Sequence, residues 1–330
     1  MTNHIRLATA LGAITALLSV TACSTAGDAQ VQTTNTVDTI SVDNCGDTVT
    51  FAGIPQRVTL LDNPAVATLA ALGVLDRVTA KAGLYPTEYY GEDVAAQLEE
   101  IPTLTDQVDA TGHLQIARET VVATTPDLVI GSSDTVNRQT LRPNGIPLLD
   151  EPAYCGSLDG EVTFDDVWDQ VELYGTVFGK GDAAAGYIAE LEDRVEAVVE
   201  AVPGGEDRTV AVLFPTPGSP TTYAYGTGSM SHPLVTAAGL ENVFADETER
   251  VFEVTAEELI ARDPDVIIAL HTDSNVDAIR TAVRELPGAE ALTAVRDDAI
   301  HPMLLSYAEP PSPLTIDGLE NLADYLEETR

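Results

Sequence analysis

The feature that most constrains the fold of this chain is a twelve-residue unit that occurs twice. The first copy runs from Glu119 to Ile130 and the second, 138 residues later, runs from Glu257 to Ile268. In both copies the leading Glu precedes an Ala by four residues, a Pro by seven and an Asp by eight, and three apolar residues follow. Each copy therefore predicts a short helix that ends before the Pro, then an Asp turn, then a buried strand.

Two units at this separation favour two similar α/β lobes over a solenoid, whose repeats are much closer together. Two lobes predict a ligand cleft between them, and Glu119 and Glu257 would then occupy equivalent places, one on each lobe. The alternative is that two helix–turn–strand units recur by chance, as they do in many α/β proteins.

An amphipathic segment between the two copies predicts one long connecting helix. From Asp182, a suitable N-cap, apolar residues recur at steps of three and four as far as Val198, and the Pro-Gly-Gly at 203–205 ends the pattern. A helix over 182–202 would be about 30 Å long and stiff, which predicts only small domain motion. On either side of it strands alternate with helices, which predicts parallel sheets covered on both faces. The predicted fold class is α/β: two Rossmann-like lobes with central β-sheets, joined by a single long α-helix, with a ligand cleft between them.

The N-terminus is typical of a targeting segment. Arg6 supplies a positive charge, an apolar stretch runs from Leu7 to Val20, and small residues precede Cys23. This resembles a bacterial lipoprotein signal, in which Cys23 would be lipidated and would anchor the protein to the membrane outside the cytoplasm. The alternative is an ordinary secretory signal with an incidental Cys. The apolar stretch is shorter than the roughly 20 residues of a membrane span.

The polar segment that follows predicts a flexible tether, since it has few large apolar side chains to bury. The chain then divides into five parts: a signal peptide (1–22), the tether (23–40), an N-terminal lobe (41–181), the connecting helix (182–202) and a C-terminal lobe (203–330).

If Cys23 carries lipid, Cys45 and Cys155 remain as an even pair. In an oxidising compartment such a pair predicts a disulfide, here closing a loop of about 110 residues and pinning the first strand onto the N-terminal lobe.

The formal charge of −37, from 53 acidic and 16 basic residues, argues against nucleic-acid binding, which needs a basic surface. Most of this charge is expected to be solvated surface. The sequence contains no Walker loop, no HExxH and no nucleophile elbow, so we predict no catalytic residues, no metal ligands and no cofactor. An extracellular enzyme and a bare metal-ion binder are the less favoured alternatives.

Further short motifs occur in a fixed order along the chain: Asn44-Cys45-Gly46, Pro55-Gln56-Arg57-Val58, Ala71-Leu72-Gly73, Pro126-Asp127, Ala238-Gly239 with Asn242 and Phe244, and Glu257 through Asp265. With the lipoprotein signal, the tether and the connecting helix, they resemble the helical-spine (class III) solute-binding lipoproteins. That class serves ABC importers of iron siderophores, haem and cobalamin. The resemblance implies a monomer that passes a small-molecule iron chelate to a membrane permease.

In that class one surface Glu on each lobe docks onto Arg residues of the permease, and Glu119 and Glu257 match those positions. The alternative is that both are ordinary first-turn glutamates that complement a helix dipole. Only Glu257, and not Glu258, keeps the seven-residue step to Pro that Glu119 makes.

The resemblance and the rule for open α/β sheets both place the ligand at loops after the carboxyl ends of strands. The residues expected there are Asn63, Tyr85, Ser132, Ser133, Arg138, Tyr223, Tyr225, Met230, His271 and Tyr307. Many siderophore binders carry an Arg in the loop before the last helix, whereas the stretch 309–314 has none, which favours a hydroxamate or mixed chelate over a catecholate. Haem, with His271, Tyr85 or Tyr225 as axial ligands, and cobalamin are the alternatives within the class.

Overall fold

The computed structural model describes residues 39–109, 112–158, 160–202, 208–218, 221–272 and 275–329. The predicted signal peptide, Cys23 and nearly all of the predicted tether lie outside these ranges. No helix within them is both long enough and apolar enough to span a bilayer.

The N-terminal lobe is built on a parallel four-stranded sheet with the strand order β4-β3-β5-β6. An antiparallel hairpin precedes this sheet. The strands are β1 (Ile40–Asn44), β2 (Asp47–Phe51), β3 (Val58–Leu60), β4 (Val78–Lys81), β5 (Leu128–Ile130) and β6 (Leu148–Leu149), and the helices are α1 (Ala65–Ala71), α2 (Glu92–Glu100), α3 (Arg118–Ala123), α4 (Arg138–Leu141), α5 (Pro152–Cys155) and α6 (Asp165–Val177). Strands β3, β5 and β6 are buried along their whole length, as is typical of a parallel sheet covered on both faces.

The long connecting helix is α7 (Gly181–Ala201), within one residue of the predicted bounds. Ala184 and Leu191 belong to the N-terminal core, whereas Val198 packs against the C-terminal core, so one helix is shared by both lobes. The predicted N-cap was wrong, because Lys180 occupies that position and Asp182 lies in the first turn.

The C-terminal lobe carries a mixed sheet with the order β10-β8-β7-β11-β12, in which β9 also pairs with β7. Its strands are β7 (Thr209–Pro215), β8 (Thr222–Tyr225), β9 (Glu241–Asn242), β10 (Val251–Val254), β11 (Val266–His271) and β12 (Ile300–Leu304), and its helices are α8 (Ser231–Ala237), α9 (Ala256–Arg262), α10 (Val276–Arg284), α11 (Thr293–Arg296) and α12 (Leu314–Glu328). The expectation of a parallel sheet fails at β8, which pairs in the antiparallel sense with both β7 and β10. The segment between β7 and β8 is too short for the crossover that a parallel neighbour requires.

The duplicated unit folds the same way in both lobes. The residue before each Pro has a left-handed backbone, with φ of 49° at Thr125 and 40° at Asp263. The next Asp ties the start of the neighbouring parallel strand: the Asp127 carboxylate accepts the N–H of Arg57 at 2.8 Å, and the Asp265 carboxylate accepts the N–H of Thr209 at 2.8 Å. The repeated Pro-Asp therefore fixes where β3 and β7 begin beside β5 and β11.

A disulfide joins Cys45, in the turn between β1 and β2, to Cys155 at the end of α5. The same junction is held by Asn44, whose side chain accepts the N–H of Asp150 at 2.8 Å and donates to the carbonyl of Asp150 at 2.9 Å. The hairpin is thereby fastened to the segment that follows β6.

Candidate ligand-binding cleft

The carboxyl edge of the N-terminal sheet collects acidic side chains. Asp62 follows β3, and Asp150 and Glu151 follow β6. Gly131, directly after β5, has φ of +87°, and a Cβ built there would lie 2.8 Å from the carboxyl carbon of Asp62. A glycine is therefore required at this position, since only a bare Cα lets the Asp62 carboxyl lie against the strand end. Ser132 donates to Oδ1 of Asp150 at 2.8 Å.

Two of these carboxyls, Asp62 and Glu151, hold their protons unusually tightly. Burial raises the pKa of Asp62 from 3.8 to about 7, and the nearby Asp150 adds to the rise. Burial also raises the pKa of Glu151 well above its usual range, with Asp62 as the next cause. Desolvation and like-charge repulsion act in the same direction here, so this edge of the sheet resists carrying its full negative charge.

Tyr154 marks a recess beside these carboxyls. Its side chain is among the exposed large hydrophobic ones, with 48% of the residue's surface accessible, yet desolvation raises the pKa of its phenol well above the usual value. A residue that water reaches but that protein atoms surround lies in a concavity. The guanidinium carbon of Arg250, from the C-terminal lobe, stands 5.4 Å from the centre of the Tyr154 ring, within the range of a cation–π contact.

Arg250 forms an ion pair with the buried carboxylate of Glu309. The Nη1 atom of Arg250 lies 2.9 Å from Oε2 of Glu309, which is only 1% exposed, and the other carboxylate oxygen accepts the N–H of Ser231 at 3.2 Å. Burial raises the pKa of Glu309, while Arg250 opposes that rise. The loop before α12 has no Arg of its own, but through Glu309 it positions an Arg that directly precedes β10.

The two lobes touch directly at one end of the cleft. Asn63 accepts a hydrogen bond from Oγ of Ser306 at 2.7 Å, and the hydroxyl of Tyr89 accepts the N–H of Ser306 at 2.8 Å. The rings of Tyr89 and Tyr307 meet edge to face with centroids 4.8 Å apart, and Tyr307 donates to the carbonyl of Glu88. These contacts join the loops that follow β3 and precede α2 to the loop after β12.

Of the N-terminal residues predicted to line the cleft, most lie at this edge. Asn63 and Ser132 take part in the contacts above, Tyr85 donates to the carbonyl of Asp62 at 3.0 Å, and Ser133 closes a turn with Val136. Arg138 is the exception. Its guanidinium binds the β1–β2 hairpin, where it donates to the carbonyl of Cys45 and to the side chain of Asn44. It therefore does not contact the carboxyls of the cleft.

The C-terminal predictions divide into partly accessible and buried residues. Tyr223 and Tyr307 are partly exposed. Tyr225 is 5% exposed, Met230 is fully buried and His271 is 4% exposed, so these three belong to the packed interior instead of an open wall. An amphipathic or polarizable side chain near a strand end fits either place, and the sequence alone did not distinguish them.

Sequence reasoning missed Asp62, Glu151, Tyr154, Arg250 and Glu309. Asp62 adjoins the predicted Asn63, and Tyr154 adjoins the predicted Cys155, so the signal was one residue away in both cases. The pairing of Arg250 with Glu309 joins residues 59 apart in the chain, which no local pattern reveals. Within the described ranges, no cluster of three or more His, Cys, Asp or Glu is arranged to hold a metal ion.

The two leading glutamates of the duplicated unit lie on the protein surface. Each is the second residue of its helix, α3 or α9. The side chain of Glu119 is 73% exposed and pairs with Arg118 at 2.7 Å. Glu257 is exposed, whereas its neighbour Glu258 reaches back to Arg262 at 3.1 Å. The structure thus places Glu119 and Glu257 at equivalent points on the two lobes.

A separate groove of about 620 Å³ lies between α7 and α12, away from the cleft. Two arginines, Arg194 and Arg208, line it, and Arg194 is already paired with Asp317 at 2.5 Å and Glu320 at 2.6 Å. Since the groove brings together none of the polar groups described above, we assign the candidate site to the cleft.

Comparison with known proteins gives consistent results. A family profile described as a periplasmic binding protein matches residues 58–301. A crystal structure described as an ABC-type Fe3+-hydroxamate transport system from Saccharomonospora viridis is 48% identical, covers 87% of this chain and 98% of its own, and superposes with a TM-score of 0.83.

More distant relatives are described as binding other ligands. A cobalamin-binding protein of Halobacterium salinarum is 26% identical over 291 residues, which is 85% of this chain and 72% of that protein. A periplasmic haem-binding protein from Roseiflexus sp. is 19% identical, covers 83% of this chain and 98% of its own, and has a TM-score of 0.66, which supports the fold alone.

Proposed function

We propose, because this chain belongs to the periplasmic binding protein family, that it is the extracytoplasmic substrate-binding component of an ABC importer and that it captures a ferric hydroxamate-type chelate. The observation that carries the proposal is the 48% identity, over 87% of the chain, to a protein described as an Fe3+-hydroxamate transport system. The protein performs no chemistry on its cargo in this role.

The cleft chemistry supports such a cargo. Three hydroxamate groups neutralise the charge of Fe3+ and leave a bulky complex with apolar and carbonyl-rich surfaces. The open ring of Tyr154 can pack against the apolar part, and the Arg250 guanidinium can donate to the hydroxamate oxygens. Because Glu309 forms an ion pair with Arg250, this arginine offers little net positive charge to a ligand. That arrangement suits a weakly charged complex better than a trianionic catecholate.

The alternatives of haem and cobalamin find less support. The candidate axial ligands His271 and Tyr225 are 4% and 5% exposed, and the hydroxyl of Tyr85 is donated to backbone carbonyls. The cobalamin-binding relative keeps the second alternative open to test.

A panel of ligands tests the assignment. Quenching of intrinsic fluorescence should respond to ferric hydroxamates at lower concentrations than to ferric catecholates, haem or cobalamin. Tyr154→Ala should weaken hydroxamate binding by about tenfold or more, since it removes most of an aromatic contact. Val199→Ala is the control, because it shortens an exposed apolar side chain on α7, outside the cleft, and it should leave affinity unchanged. A lack of response to every chelate would overturn the proposal, and a stronger response to haem or cobalamin would replace it with that alternative.

We further propose that Glu119 and Glu257 dock onto the permease. Their equivalent, exposed positions on the two lobes support two-point pairing with Arg residues, which fixes orientation, and the acidic surface would speed encounter. The competing explanation, that they merely complement helix dipoles, predicts a stability effect instead.

Uptake assays separate the two explanations. Combined Glu119→Ala and Glu257→Ala should abolish uptake while ligand affinity stays the same. Glu258→Ala is the matched control, because that carboxylate is engaged by Arg262, and it should leave uptake intact. Normal uptake by the double variant, or a loss of affinity, would contradict the docking assignment.

The remaining organisation stays a proposal. Cys23 would carry the lipid anchor, residues 23–40 would form the tether, and the lobes would span 41–181 and 203–330 as a monomer. Labelling with a radioactive fatty acid, lost on Cys23→Ala, tests the anchor.

A further inference from the structure

We propose that the cleft selects a positively charged cargo, a ferric hydroxamate chelate with an ammonium arm, and that the ammonium is received by the carboxyls of Asp62, Asp150 and Glu151. This inference rests on the proposed function and names the substrate class within it.

The charges around the cleft are unbalanced. Four carboxyls, Asp62, Asp150, Glu151 and Glu309, influence one another or the tyrosine between them. The one Arg in this group, Arg250, forms its ion pair with Glu309. Among the described residues, none of the other three carboxyls forms an ion pair, so the acidic groups of the N-terminal wall have no matching cation.

Ionising an unpaired carboxyl in a desolvated place costs free energy, and this cost raises the pKa of the group. Burial raises the pKa of Asp62 to about 7 and that of Glu151 well above its usual range. A cation bound among them would oppose both causes, because its attraction stabilises the ionised carboxylates against burial and offsets their mutual repulsion.

A second observation indicates a missing donor. Gln170 is 6% exposed, its Nε2 donates to Oε1 of Glu151 at 3.3 Å, and its own Oε1 is buried without a hydrogen-bond partner in the described part of the chain. A buried acceptor without a donor is uncommon in native proteins. An ammonium brings three donors and no acceptor, which matches a neighbourhood that contains carboxylates and a free amide oxygen.

An ammonium fits better than a bare metal ion. The described residues contain no cluster arranged to ligate a metal. An ammonium needs only hydrogen-bond geometry, so it can be received by carboxyls that stand on different strand ends. The ring of Tyr154 and the guanidinium of Arg250, which contact each other, would remain available to the neutral iron centre.

Two ligands that differ only in this charge provide the test. The Fe(III) complex of desferrioxamine B has a free ammonium arm, and the complex of its N-acetyl derivative has a neutral arm. Isothermal titration at pH 8 should show the ammonium form binding at least about tenfold tighter, and the difference should shrink as salt is raised.

Variants then assign the charge to the carboxyls. Asp62→Asn with Glu151→Gln should reduce the preference to less than about threefold while affinity for the N-acetyl complex is retained. The control Asp165→Asn, an exposed carboxyl at the start of α6, should keep the full preference. Equal affinity for the two complexes, or a preference that survives the double variant, would overturn the inference and leave the proposed function intact. If neither complex binds, the proposed function falls together with the inference.

Discussion

Replacing Asp62 with Asn should stabilise the protein progressively as the pH rises from about 4 to about 7. Burial and the neighbouring Asp150 raise the pKa of Asp62 from 3.8 to about 7 in the folded chain. Within that window the folded protein keeps a proton that the unfolded chain has already released. The free energy of unfolding therefore falls as pH rises, and the whole cost is present above the folded-state pKa.

The size of the effect follows from the shift. About three pKa units at 1.36 kcal/mol per unit correspond to about 4 kcal/mol. This is an upper bound, because Asp62 keeps some contact with solvent, which screens its charge. Asn has nearly the same shape against Gly131 and cannot ionise, so it removes the cost without opening a cavity.

Urea unfolding at pH 5, 6, 7 and 8 and constant ionic strength measures this difference directly. The gain in the free energy of unfolding for Asp62→Asn should grow with pH and level off above about pH 7. The control is Asp246→Asn: Arg262 holds the pKa of Asp246 below its usual range, so this variant should lose stability by an amount that stays constant from pH 5 to 8. A gain for Asp62→Asn that does not change with pH, or a loss at pH 8, would refute the reasoning.

Four further variants have expected outcomes that unfolding curves can check. Asp265→Ala should destabilise by about 2–4 kcal/mol, since it removes a charged acceptor that ties the start of the neighbouring strand; a change below about 1 kcal/mol would contradict that role. Gly318→Ala should prevent normal packing of α12, because its Cβ would overlap the backbone of the preceding loop, whereas Gly186→Ala, in an open part of α7, should stabilise by about 0.5–1 kcal/mol. Replacing Cys45 and Cys155 with Ser should cost about 4–5 kcal/mol, as expected for a loop of this length, and an unchanged melting temperature would argue against it.

The elements with strong periodicity were predictable from the sequence. The connecting helix was placed to within one residue, because Leu191, Val195 and Val198 repeat on one face and Pro203 ends the pattern. The antiparallel β8 was not foreseen, since its direction depends on a short connection and on its pairing with Phe214.

The candidate site was predictable only in outline. The strand-end rule led to Asn63 and Ser132, which do lie at the carboxyl edge of the N-terminal sheet. It could not single out Asp62. The raised pKa of this carboxyl comes from its burial, for which Gly131 leaves room, and from the nearby Asp150, and both residues are far from Asp62 in the chain. Burial and contacts between distant parts of the chain determine which residues form the site, and the local spacing of residues in the sequence reveals neither.

The disulfide has a consequence for the timing of activity. Cys155 immediately follows Tyr154, and its bond to Cys45 fastens the segment that forms one wall of the recess. Thiols stay reduced in the cytoplasm and pair in oxidising compartments. We therefore expect a newly made chain to acquire a finished binding wall only after export. Under the proposed function, iron chelates inside the cell would then meet a precursor that does not yet bind them, and binding would begin only after the protein has been exported.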